Sequence, residues 1–197
     1  MSTEGKGINA MNEPRPDNRE RIIEAANRLF YTKGYNQASF ADIADEVGIS
    51  KGNLHYHFRS KVDLLEAILV VRMKEVKNNL AQWDEEYPEA KDKLRRFVQM
   101  LLSEEAELVR YGCPLGSLNM ELGKYQPELR DQSRAMFDLF RSWLEKAFKQ
   151  LGCKDSQSLS THLLTMAQGA ALMTYVYADS QLLKDECSKI LEWIDSL

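Results

Sequence analysis

Between Gly34 and Asp63 the chain alternates helix-stop and helix-start signals so closely that a compact set of short, tightly turned helices is the arrangement that fits. Gly34 is placed to end a first helix. Ser39, with Asp42 three residues on, starts a second that Gly48 closes; Ser50 opens a third; Ser60, with Asp63, opens a fourth. A hydroxyl ahead of an apolar run accepts from backbone N–H groups the helix leaves free, and a carboxylate three residues later returns the bond. A glycine after the run takes the left-handed conformation that turns the chain away. The apolar spacing agrees. Ile22, Ile23, Ala26, Leu29 and Phe30 make one stripe of 3.6-residue period, and Phe40, Ile43, Ala44 and Val47 make another.

The rest of the chain is also helical in pattern. Leu64, Leu65, Ile68, Met73, Val76 and Leu80 carry the fourth helix to about Trp83, where the acidic stretch DEEYPEAKDK, residues 84–93, predicts a break. Beyond it, Leu94 to Leu102, a short helix from Pro114, a long one from Pro127 to Leu151, one from Ser156 to Tyr177 and one from Leu182 to Ile194 complete about nine helices without a convincing strand. Only 10 glycines and 5 prolines in 197 residues suit such an all-α fold, and the length suffices for a substantial core. Three cysteines, Cys113, Cys153 and Cys187, form no metal-type pair and leave one unpaired in any disulfide scheme. With neither a signal core nor a membrane span in the sequence, a cytoplasmic protein with a loose polar arm over residues 1–16 is expected.

Net charge is −4, yet its distribution is uneven. Residues 1–61 hold nine Lys/Arg against eight Asp/Glu, leaving 17 against 22 beyond, and the stretch GISKGNLHYHFRSK, residues 48–61, has three basic residues and no acidic one. His55 and His57 invite a metal or acid/base reading. Two residues apart on a helix, they point about 200° away from each other, so one ion cannot easily take both, and no carboxylate or thiol lies near in sequence. No metal, cofactor or catalytic residue is expected. A helix, a turn at Gly48 and a second helix of polar side chains fit a helix-turn-helix over about residues 39–58. In it, Lys51 and Asn53 reach base edges, beside Gly52; His55, Tyr56, His57 and Lys61 meet phosphates; the helix N-termini at Ser39 and Ser50 add backbone donors.

SFADIADEVGISKGNLHYHFRSKVDLL, Ser39 to Leu65, closely resembles the DNA-binding signature of the TetR family of transcriptional regulators, and IIEAANRLFYTKGY, Ile22 to Tyr35, extends the match upstream. The resemblance implies a three-helix DNA-binding domain over residues 17–77, a linking fourth helix, and a helical ligand-binding and dimerisation domain over residues 78–197. His55 stands where the family usually has tyrosine, placing a shorter, pH-dependent group there. YGCPLGSLNMELGKYQPELR, Tyr111 to Arg130, is similar to a branch of the family carrying Gly-Cys before the sixth helix.

In the second domain Cys113 precedes Pro114, a favoured first helical residue, which puts its sulfur at a helix N-terminus: a sensor thiol or a small packing residue. Met120, Phe137, Phe140, Met166 and Tyr175 are core or line an effector cavity. Gly169 and Ala170 allow close helix approach, and with Leu191 they mark the last two helices, where the family usually dimerises. Two recognition helices spaced about 34–36 Å apart read a palindrome. The expected protein is therefore a homodimeric repressor of a palindromic double-stranded operator, released by a small apolar or thiol-reactive effector. The alternatives are a constitutive dimeric regulator without effector and a helical enzyme using Cys113.

Overall fold

The computed structural model describes residues 17–197, so the expected N-terminal arm, residues 1–16, lies outside the described residues. Every regular element among them is helical. Helices α1 (Asn18–Thr32), α2 (Phe40–Val47), α3 (Lys51–His57) and α4 (Lys61–Glu86) come first. They are followed by α5 (Ala90–Ser103), α6 (Glu105–Tyr111), α7 (Pro114–Tyr125), a 3-10 turn at Pro127–Leu129, α8 (Arg130–Gln150), α9 (Ser156–Tyr177) and α10 (Ser180–Asp195).

The cap signals act as their chemistry requires. Ser39 Oγ accepts from Asp42 N at 3.1 Å while Ser39 N donates to Asp42 Oδ2 at 2.8 Å. Ser60 and Asp63 repeat the exchange at 3.1 Å in both directions, and Ser50 Oγ accepts from Asn53 N at 3.2 Å. Gly48, at φ 73°, takes the left-handed position between α2 and α3. Each box satisfies two otherwise free donors, for about 1 kcal/mol per cap.

Three elements differ from the periodicity. The acidic break shrinks to Tyr87–Glu89, because α4 runs on to Glu86 and α5 starts at Ala90. Lys93 and Asp84 bracket the shorter turn with an ion pair at 2.7 Å. Helix α6 is additional to the nine expected. Its only buried residue is Leu108, and one apolar anchor leaves no stripe to read. Pro127 opens a 3-10 turn before the long helix proper.

Two apolar cores divide the chain unevenly. The first joins Ile22, Ala26, Ile43, Leu54, Leu64 and Ile68 of α1–α4 to Leu118 and Leu122 of α7, to Leu129 and to Met136 of α8. The second packs α5, α8, α9 and α10 around Phe97, Leu144, Phe148, Leu163, Cys187 and Ile190. Helix α4 runs from one to the other, with Leu65 and Ile68 in the first and Leu80 and Trp83 in the second. Between them, on the same buried side, sits Arg72, 8% exposed.

Candidate nucleic-acid interface and effector cavity

Helix α3 is held by one edge. Leu54 is fully buried and Phe58, just past its end, is 4% exposed; burying each is worth about 1.5–3 kcal/mol. Everything else on α3 faces outward. Lys51, Gly52, Asn53, His55 and Tyr56 are exposed, Tyr56 at 85%, and His57 is half-buried. A tyrosine so open, beside a lysine and an asparagine on one short helix, gives a surface of donors without a protein partner. The two histidines point apart. His55 packs its ring on Phe40 at 5.0 Å, and His57 packs edge-on against Tyr56 at 5.2 Å. Among the described residues no cluster of three or more His, Cys, Asp or Glu could hold a metal ion.

Lys61 departs from its expected role. Its ammonium donates to the carbonyls of Tyr35 at 2.6 Å, Ala38 at 3.0 Å and Asn36 at 3.3 Å, and it lies 4.4 Å from the centre of the Tyr35 ring. Partial burial lowers its pKa, against the pull of Glu121. All three N–H donors are thus turned inward onto the α1–α2 turn, so the geometry is that of a clasp on that turn rather than of a free phosphate ligand.

A cavity of about 770 Å³, partly open to solvent, lies between α1, the end of α2, α4, α5, α6, α7, α8 and α9. Phe97, Leu101, Phe140 and Leu164 supply much of its apolar wall, and Tyr31, Asn27 and Arg72 supply polar groups on the side of α1 and α4. The Tyr31 hydroxyl lies 2.8 Å from the Gly112 carbonyl and 3.2 Å from that of Glu107. Burial pushes its pKa well up, with Glu107 and Glu104 adding to the effect. Arg72 donates Nε to Asn27 Oδ1 at 2.6 Å and Nη1 to the Pro114 carbonyl at 3.2 Å. These bonds tie α1, α4 and the α6–α7 junction together at one wall. Glu104 is exposed at the rim, yet partial desolvation of its carboxyl by the surrounding chain raises its pKa more than Arg96 lowers it.

A separate groove of about 720 Å³ runs between the α1–α2 turn, α7 and α9. The six expected effector residues therefore divide. Phe140 lines the cavity, Met120 and Tyr175 line the groove, and Cys113 and Phe137 border both. Met166 lines neither and packs half-buried on the second core. Cys113 caps α7, its Sγ accepting from Gly116 N at 3.3 Å. Arg72, Asn27 and Tyr31 were not singled out by the sequence. The available signal was register: Arg72 sits four residues after Ile68 and four before Val76, in line with the apolar stripe of α4.

The residues expected at a dimer face also divide. Gly169 faces open space, whereas Ala170, 5% exposed, packs in its own chain's second core and Leu191 packs half-buried on it. One residue along a helix is a 100° rotation, which takes Ala170 off the outer face. That face is apolar: Leu172, Met173, Val176 and Tyr177 of α9 are exposed, Val176 at 61%. No helix among the described residues is long and apolar enough to cross a membrane.

Two family models match the chain. The one described as bacterial regulatory proteins, tetR family, covers residues 22–68. The one described as the C-terminal domain of LmrA/YxaF-like transcriptional regulators covers residues 90–187. An HTH-type transcriptional regulator from the lacX 3′ region of Lactococcus lactis subsp. lactis is 30% identical over 84% of this chain and 87% of its own length. The HTH-type transcriptional regulator LmrA of Bacillus subtilis is 29% identical over 83% and 89%. Among solved structures, a TetR transcriptional regulator from Legionella pneumophila superposes with a TM-score of 0.81 at 25% identity, over 93% of this chain and 98% of that one. A regulator from Agrobacterium tumefaciens shares the fold with a TM-score of 0.80 at 22% identity, over 88% and 95%.

Proposed function

Because the chain belongs to the TetR family of bacterial transcriptional regulators, we propose that it is a cytoplasmic, homodimeric repressor that leaves a palindromic operator when a small apolar effector enters the cavity between α1 and α9. It is a DNA-binding transcriptional regulator and not an enzyme. The observation that carries the finer reading is the wall of the cavity. The residues that line it, Tyr31, Asn27 and Arg72, are the same ones that bond α1 and α4 to the start of α7. A ligand against that wall acts on the helices that position α3, so it binds one α1–α4 arrangement better than another and shifts the population away from DNA.

In this reading Lys51, Gly52 and Asn53 of α3 face base edges, and His55, Tyr56, His57 and the α2 and α3 N-termini at Ser39 and Ser50 face phosphates. The exposed apolar row of α9, from Gly169 through Leu172 and Val176, meets a second copy. Selection from random-sequence duplexes tests it. A recovered palindrome, with affinity that falls steeply with salt, supports it, and no enriched sequence refutes it.

A thiol-reactive effector is a second route, favoured by Cys113 at the α7 N-cap on the border of cavity and groove. Alkylation of Cys113 no faster than that of Cys153 or Cys187 refutes that route.

A further inference from the structure

Among the described residues, Arg72 carries the only buried formal charge in the cavity wall. It is 8% exposed, and the seven other charged residues that line the space, two arginines and five glutamates, are solvent-exposed at its rim. Arg28 and Glu46 pair with each other there. Charges at such a rim are screened and bind an incoming group weakly. A buried guanidinium is another matter. Removing it from water costs several kcal/mol unless an anion compensates, and arginine does not shed its proton to avoid that cost. Among the described residues no carboxylate oxygen lies within 4.0 Å of an Arg72 nitrogen. Its hydrogen-bond partners are neutral, the Asn27 side-chain oxygen on Nε and the Pro114 carbonyl on Nη1, and the Glu75 carboxylate, one turn on along α4, supports the charge only from beyond ion-pair distance. Nη2 makes no hydrogen bond to another described residue, which leaves donor capacity of the fork available to the cavity that Arg72 lines.

The rest of the cavity asks for an apolar partner. Phe97, Leu101, Phe140 and Leu164 line it, and about 770 Å³ lies within the range of sites that enclose a drug-sized molecule. We propose that the cavity takes an apolar organic anion, a carboxylate or sulfonate on an aromatic body, with Arg72 receiving the anionic head. The proposal rests on reading the cavity as the effector site. A head group on Arg72 pulls on the residue that bonds α1 through Asn27 and the start of α7 through Pro114, so the charge is delivered to the wall that positions the DNA-binding helices.

Two fluorescent probes of nearly the same body separate the charge from the cavity: 1-anilinonaphthalene-8-sulfonate and its neutral parent, N-phenyl-1-naphthylamine. Each is titrated into the full chain and into Arg72→Met and Arg72→Lys, with circular dichroism confirming the fold. The sulfonate is expected to bind Arg72→Met about ten- to hundred-fold more weakly than wild type, with Arg72→Lys between them, while the neutral probe changes by less than about two-fold. In the wild type alone, the Arg72 guanidinium resonances should shift markedly more with the sulfonate than with the neutral probe, which keeps the test open where Arg72→Met does not fold. Neutral-probe binding with a sulfonate affinity indifferent to residue 72, or Arg72 resonances that shift no more at sulfonate saturation than with the neutral probe, overturns the anion class and leaves the effector cavity standing. Failure of both probes to bind any of the proteins overturns the cavity reading, and this proposal with it.

Discussion

Replacing Gly34 by alanine tests the grip of α7 on the DNA-binding half. Gly34 holds φ +88°, and a Cβ there would stand 2.8 Å from Glu121 Oε1. The same carboxylate, through Oε2, accepts from the Asn36 backbone N–H at 3.0 Å and from its side-chain amide at 3.2 Å. Alanine in a left-handed position costs about 1–2 kcal/mol. The steric conflict is relieved by swinging Glu121 aside, which forfeits both bonds to Asn36. They are exposed, so each is worth about 0.5 kcal/mol, the low end for such a bond. Gly34→Ala should therefore destabilise by about 2 kcal/mol and Glu121→Ala by about 1 kcal/mol. The double variant should lose about 2 kcal/mol rather than about 3, because the Asn36 bonds can be lost only once. Urea unfolding followed by circular dichroism, at one fixed protomer concentration, reads the cycle. Losses that add to within about 0.5 kcal/mol would refute the contact between Glu121 and the α1–α2 turn.

Asn53→Ala should relax base preference at one operator position by about 1–3 kcal/mol with little change in salt slope, measured by competition with substituted duplexes. Val176→Glu, which puts a carboxylate into the exposed apolar row of α9, should shift the chain toward monomer in light scattering without lowering its helical content. Leu54→Ala empties a fully buried site beneath α3, and a loss of about 2–5 kcal/mol is expected in thermal or urea unfolding. Glu104→Gln should raise neutral-pH stability. The folded protein binds the Glu104 proton more tightly than the unfolded chain, so stability falls as pH rises from the ordinary glutamate range through the raised value. The glutamine variant should lose that decline in melting temperature over the same window.

The first four helices were legible because their signals are local. Ser39 with Asp42 and Ser60 with Asp63 need only three residues to form a box, and the structure closes both. The outward face of α3 was legible for the same reason, once Leu54 and Phe58 took the inner edge. Long-range partners were not. Lys61 reads as a phosphate ligand by residue type, but the three carbonyls it serves come from residues 35–38 on another turn. Arg72 was passed over because a charge interrupts an apolar stripe, although its register belongs to it. In Gly169-Ala170-Ala171 small size is visible in sequence, but the rotation of α9 is set by what it packs on, and it turns Ala170 and Ala171 inward.

The sharing of the first core has a practical meaning for anyone building hybrid regulators. Leu118, Leu122, Leu129 and Met136 seal the apolar underside of α1–α4, so a graft that joins this DNA-reading head to a foreign sensor at residue 77 would leave that underside facing side chains it did not evolve with. A chimera that carries α7, the 3-10 turn and the first turns of α8 along with the head keeps its natural floor. The transferable module is thus discontinuous in the chain, and swaps drawn in space should outperform swaps drawn at a single crossover.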